Sequence, residues 1–84
     1  MTSIYTNMHR ENIVLYTLPN CKNCEKIKII LKQKGIKFKE YTLNAESLAD
    51  LRYDGIFSLT APIVKIKNTY YTDIEKILEV IYKL

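Results

Sequence analysis

An α/β fold of order β-α-β-α-β-β-α, with a four-stranded mixed sheet and helices on both faces, is what this 84-residue sequence predicts. Three observations carry that expectation. A short β-branched run, "IVLYT", leads into two cysteines spaced CxxC and then into a segment of helical periodicity. A second strand-like run follows that helix, and strand, crossover helix and strand give a parallel pair with a right-handed connection. Two later strand-like runs meet tightly around Asn68, so they form a hairpin and make the sheet mixed.

Taken in order, Ile13–Thr17 is nearly all apolar, as expected of a strand buried on both faces. Pro19 and Asn20 break it. Asn20 is the expected N-cap of a helix that begins near Cys21 and stops at Gly35. Ile27, Ile30 and Leu31 share one face of that helix, and stepping back three residues adds Cys24. "IKFKEYTL" (residues 36–43) sets Ile36 and Phe38 against Lys37 and Lys39, the alternation of a strand with one wet side. Asn44 caps a short helix carrying Leu48 and Leu51, which Gly55 ends. "PIVKIK" and "TYY" are the hairpin strands, with Asn68 supplying positive φ. Thr72 and Glu75 form a capping box for a last helix running to about Lys83, whose inner face carries Ile74, Ile77, Leu78 and Ile81.

At this length the chain has room for one domain with a modest core. Hydrophobic residues make up 48% and charged residues 26%, as in ordinary globular domains. No apolar run approaches a membrane span, and the opening "MTSIYTNMHREN" is too polar for a signal-peptide core. The expected location is therefore the cytoplasm, with no membrane partner, where a lasting structural disulfide is rare. Residues 1–12 read as a flexible extension, with His9 a solvated tail residue, and residues 13–84 as the domain.

The cysteines sit at the start of a helix, where unpaired backbone N–H groups stabilise negative charge, and a thiolate is the species that attacks a disulfide. Lys22 adds a cation beside Cys21. Two residues between the cysteines let Cys24 reach Cys21 over one turn, so a mixed disulfide at Cys21 is resolved without large motion. Other chemistry is weighed against this. A closed zinc or iron–sulfur site needs about four ligands, which a monomer with two cysteines and His9 lacks, whereas a dimer pooling two pairs would supply four thiolates. The net charge of +4 and the seven lysines from Lys22 to Lys39 suggest a basic nucleic-acid-binding module. That stretch has no arginine and no interleaved aromatic platform, so a solvated face, or a basic rim that steers acidic partners, fits better.

A buried strand running into CxxC at the head of a long helix resembles the thioredoxin-like fold, and the short chain resembles its glutaredoxin branch. "TAP" (Thr60, Ala61, Pro62) is similar to the Thr-Val-Pro of that family, where the proline is cis and faces the thiols. "YTLPNCKNC" is also similar to the glutaredoxin-like electron donors of ribonucleotide reductase. The resemblance covers residues 13–84. It implies a glutaredoxin-like thiol–disulfide oxidoreductase, a monomer, with Cys21 the attacking and Cys24 the resolving thiol. Its substrates would be disulfide-containing proteins, ribonucleotide reductase among them, with a reductase or glutathione as electron donor and no bound cofactor or metal. Thr60, Ala61 and Pro62 would shape the substrate groove beside Lys22, and Tyr16 would belong to the core or line the groove.

The sequence also departs from the family. Leu18 stands where the family usually has the lysine that meets a glutathione carboxylate. Lys22 and Asn23 replace the usual proline and tyrosine. The Gly-Gly pair at the last helix is missing; one alignment sets Thr72 and Asp73 there, and another makes Asp73 the glutathione-contacting acid. Glutathione is accordingly expected to be a weak reductant.

Overall fold

The structure, a computed structural model, describes residues 13–58 and 60–84; the expected extension of residues 1–12, His9 included, lies outside them. Among the described residues seven elements follow in the expected order: β1 (Ile13–Thr17), α1 (Lys22–Gln33), β2 (Phe38–Thr42), α2 (Ala45–Tyr53), β3 (Ile63–Ile66), β4 (Thr69–Tyr71) and α3 (Ile74–Tyr82). The sheet order is β2-β1-β3-β4. β1 and β2 are parallel, whereas β1–β3 and β3–β4 are antiparallel.

Alternation along the strands divides the core in two. Ile13 and Leu15 of β1 and Val64 and Ile66 of β3 face α1 and α3, where they meet Ile27, Leu31, Ile77 and Ile81. Tyr16 and Ile63 point the other way, toward Leu43 and Leu51 beneath α2. β1 thus reads as continuous apolar sequence because both its faces are covered. β2 lies at the sheet edge, and beyond the half-buried Phe38 its residues are exposed.

Both glycine stops form Schellman motifs. Gly35 has φ 71° and Gly55 φ 86°. The amides of Ile36 and Ile56 reach back to the carbonyls of Leu31 and Leu51 at 2.9 and 2.8 Å. Each isoleucine then packs on the cluster that holds its carbonyl partner. At α2, Asn44 Oδ1 accepts from the Ser47 amide and Ser47 Oγ from the Asn44 amide, both at 2.9 Å, a reciprocal cap.

Three local expectations need correction. Cys21, not Asn20, is the N-cap of α1, and Asn20 takes the left-handed φ of 59° that turns the chain out of β1. In the hairpin the positive φ falls on Lys67 (57°). Ile66 pairs with Thr69, so Lys67 is the first residue of a two-residue turn, where primed hairpin turns require positive φ. At α3 the cap is Asp73, whose carboxylate accepts from the Glu75 amide at 3.3 Å, one residue later than the Thr72 box expected.

Candidate active site

Cys21 sits where the chain leaves β1 and enters α1. Its backbone is extended (φ −103°, ψ 105°), and Lys22 begins the helix. Cys21 and Cys24 are joined in a disulfide with their Cα atoms 5.2 Å apart. Sγ of Cys21 accepts a hydrogen bond from the Cys24 amide at 3.1 Å, so the sulfur takes the place that a serine or aspartate oxygen holds in an ordinary N-cap. Cys21 is half-buried, while Cys24 is 1% exposed and continues the inner face formed by Ile27 and Leu31.

Topology gathers the other expected residues at the same end of the sheet. The antiparallel register pairs Tyr16 with Ile63, and the next step sets Pro62 opposite Thr17 at the end of β1. Pro62 is buried, and the Ala61–Pro62 bond is cis as expected. Thr60 is exposed, and its amide donates to Ser58 Oγ at 3.3 Å. Asp73 follows β4, whose Tyr71 pairs with Val64, so it returns to this same end. Lys22 is exposed and lines a groove of about 500 Å³ between α1 and α3 with Lys26, Ile29, Leu78 and Tyr82. Tyr16 stands apart. It is 9% exposed, buried on the α2 face, and burial followed by Asp50, Tyr41 and Asp54 pushes its phenol above the usual value.

One polar cluster beside the site escaped the sequence reading. The buried Thr17 hydroxyl donates to Glu40 Oε2 at 3.0 Å, and Lys28 Nζ reaches the same oxygen at 3.2 Å and Glu25 at 3.0 Å. The cluster ties the second turn of α1 to the end of β1 and the middle of β2. The Thr17 hydroxyl, then Lys28, hold the Glu40 carboxyl below its usual range against a burial effect that opposes them. Strand pairing alone reveals it: in the β1–β2 register Glu40 stands opposite Leu15, one alternation from Thr17 on the α1 face. Among the described residues, no three His, Cys, Asp or Glu side chains gather as metal ligands.

The glutaredoxin family model matches residues 13–70. The chain belongs to the glutaredoxin family. Glutaredoxins are thiol–disulfide redoxins, and the Cys21–Cys24 pair at the head of α1 fits their redox motif. No curated protein matches the sequence. Among solved structures, a thioredoxin-like protein shares 29% identity at TM-score 0.68, over 82% of this chain and 99% of that one. The glutaredoxin-like protein NrdH-redoxin from Escherichia coli shares the fold at 20% identity and TM-score 0.64, over 82% of this chain and 93% of that one. A glutathione S-transferase from Ascaris lumbricoides matches at 18% identity and TM-score 0.67; 86% of this chain is covered, but it spans about a third (35%) of that one.

Proposed function

We propose that this glutaredoxin-family protein reduces protein disulfides by a dithiol mechanism in which Cys21 attacks and Cys24 resolves. The carrying observation is the amide of Cys24 on Cys21 Sγ, with Cys21 reachable and Cys24 buried. In the reduced protein that N–H, with the neighbouring helix-terminal amides, favours the thiolate. The Cys21 thiolate displaces one sulfur of the substrate disulfide, which leaves as a thiolate and takes a proton. Cys24, deprotonated, then attacks Cys21 Sγ, releases the second substrate sulfur and closes the intramolecular disulfide. The substrate gains two electrons and the protein loses two. Pro62 and the backbone at Ala61 form the groove wall that receives an extended substrate segment, with Thr60 and Lys22 at its rim. A monomer suffices, because both thiols come from one chain, and the cytoplasm is its compartment.

Iodoacetamide labelling of the reduced protein across pH tests the roles. Cys21 labels first, with a midpoint below the free-thiol value of about 8.5. Cys24→Ser traps a mixed disulfide, and Cys21→Ser does not. First labelling at Cys24 would overturn the assignment.

For the electron donor, the reading is a protein reductase or another dithiol over glutathione. Leu18 is exposed and uncharged where a carboxylate would be met, and Asp73 brings a carboxylate, already engaged as the α3 cap, to the same end. The Escherichia coli relative is described as having a thioredoxin-like activity profile, which supports the same preference. Ribonucleotide reductase is the candidate substrate, on the likeness of "YTLPNCKNC". Turnover with thioredoxin reductase is expected to exceed turnover with glutathione and its reductase. Brisk turnover at millimolar glutathione would make Asp73 a glutathione contact instead.

A further inference from the structure

A second cleft, of about 380 Å³, opens on the α2 face of the sheet, between the C-terminal ends of β1 and β2 and the first turns of α2. Its walls combine two tyrosines and two carboxylates. Tyr16 and Tyr41, paired in register, hold their ring centroids 5.9 Å apart. Tyr41 is 48% exposed and lines the cleft. Tyr16 is more than nine-tenths buried, yet its hydroxyl has no hydrogen-bond partner among the described residues, where buried tyrosines usually find one. Glu46 and Asp50 stand four residues apart on α2 and so share a face. Neither forms a salt bridge among the described residues, in a chain of net charge +4. The remaining polar wall is Asn44 and Ser47, engaged in their reciprocal cap, and Thr42, whose carbonyl accepts from Ser47 Oγ at 2.8 Å. The chemistry left open is therefore acceptor-rich, anionic and aromatic.

We propose that this cleft binds a guanidinium group. Guanidinium offers five N–H donors and no acceptor, stacks on aromatic faces, and divides its charge between carboxylates. Tyr41 provides the stacking face, Glu46 and Asp50 accept the charged N–H groups, and the Tyr16 hydroxyl oxygen accepts another. A divalent cation fits less well, since calcium and magnesium require six or more oxygen ligands or retained waters and gain nothing from the aromatic wall. The guanidinium comes either from an arginine of a partner polypeptide or from a free small guanidine. The site lies on the sheet face opposite α1, and its occupancy does not depend on the redox reading.

Amide chemical-shift titration of the whole protein, held in one redox state, tests this without any turnover. N-acetylargininamide is expected to shift the amides of residues 41–50 saturably, while its uncharged isostere N-acetylcitrullinamide leaves them unmoved. In the double variant Glu46→Gln, Asp50→Asn the dissociation constant should rise about tenfold or more, and Tyr41→Leu should weaken binding separately. Glu46 and Asp50 are exposed, so these variants keep the fold, which circular dichroism verifies. Parallel titrations with agmatine and with a Gly-Arg-Gly peptide separate the sources. Tighter peptide binding marks an arginine of a polypeptide, and tighter agmatine binding a free guanidine. An equal response to the citrulline compound, an unchanged constant in the double variant, or no response at millimolar probe would overturn the proposal.

Discussion

The sulfur of Cys21 caps α1, and it is the same atom to which the proposed mechanism assigns the attack. The two are separable by substitution. Cys21→Ser keeps a good capping oxygen, whereas Cys21→Ala leaves the Cys24 amide without an acceptor. Both variants lose disulfide exchange. Urea denaturation of the reduced proteins should nonetheless find the alanine variant less stable than the serine one by about 0.5–2 kcal/mol. Leu18→Lys should raise the rate with glutathione, since it restores a cation where the family has one; an unchanged rate would show that this carboxylate is not read at position 18. The cap illustrates what the sequence conceals. Asn20 is the better N-cap by preference, but a residue at φ 59° has already turned and cannot occupy the extended conformation a cap needs. Nothing in the local sequence distinguishes the two uses of asparagine.

At the scale of elements, the segments that could be read were those whose burial is set by periodicity. The spacing of Ile74, Ile77 and Ile81 predicts the inner face of α3, and two of these are fully buried. The glycine stops were legible for the same local reason, because left-handed backbone at a helix end selects glycine. The hairpin residue was not, because the register of β3 on β4 decides which turn position takes positive φ, and register is a property of two strands. Lys67 accepts that conformation at a cost, so Lys67→Asn should stabilise the protein by up to about 1 kcal/mol in urea melts. Gly35→Ala should do the opposite, by about 1–2 kcal/mol. A Cβ there meets nothing within 4 Å, so the loss would be conformational alone.

The whole molecule carries a pH profile with causes at both ends. The Thr17 hydroxyl, foremost, and Lys28 depress the pKa of Glu40, so the folded protein gives up this proton more readily than the unfolded chain. That contribution is present above the ordinary value of about 4.3 and is lost as pH falls through the depressed one. Burial, foremost, raises the phenols of Tyr16 and Tyr70, the latter also through its hydrogen bond to Asp54. The folded state there retains protons that the unfolded chain releases, so stability declines as pH climbs past about 10. Urea midpoints measured from acid to alkaline pH should trace a plateau with both shoulders. Thr17→Val should flatten the acid shoulder and Tyr70→Phe the alkaline one; shoulders unmoved by these changes would assign the pH dependence elsewhere.

The unequal burial of the two cysteines also bears on survival under oxidative stress. A peroxide reaches Cys21 far more readily than Cys24, which is 1% exposed. If Cys21 is the thiolate of the proposed mechanism, a peroxide would convert it to a sulfenic acid, the first rung of a ladder whose next steps are irreversible in most proteins. With the two Cα atoms 5.2 Å apart, the Cys24 thiol would condense with that sulfenic acid, expelling water and forming the same disulfide that the proposed turnover forms. The sheltered thiol would thus return an oxidised centre to the proposed cycle before the sulfinic stage, and Cys24→Ser should be inactivated by peroxide where the unaltered protein recovers on reduction.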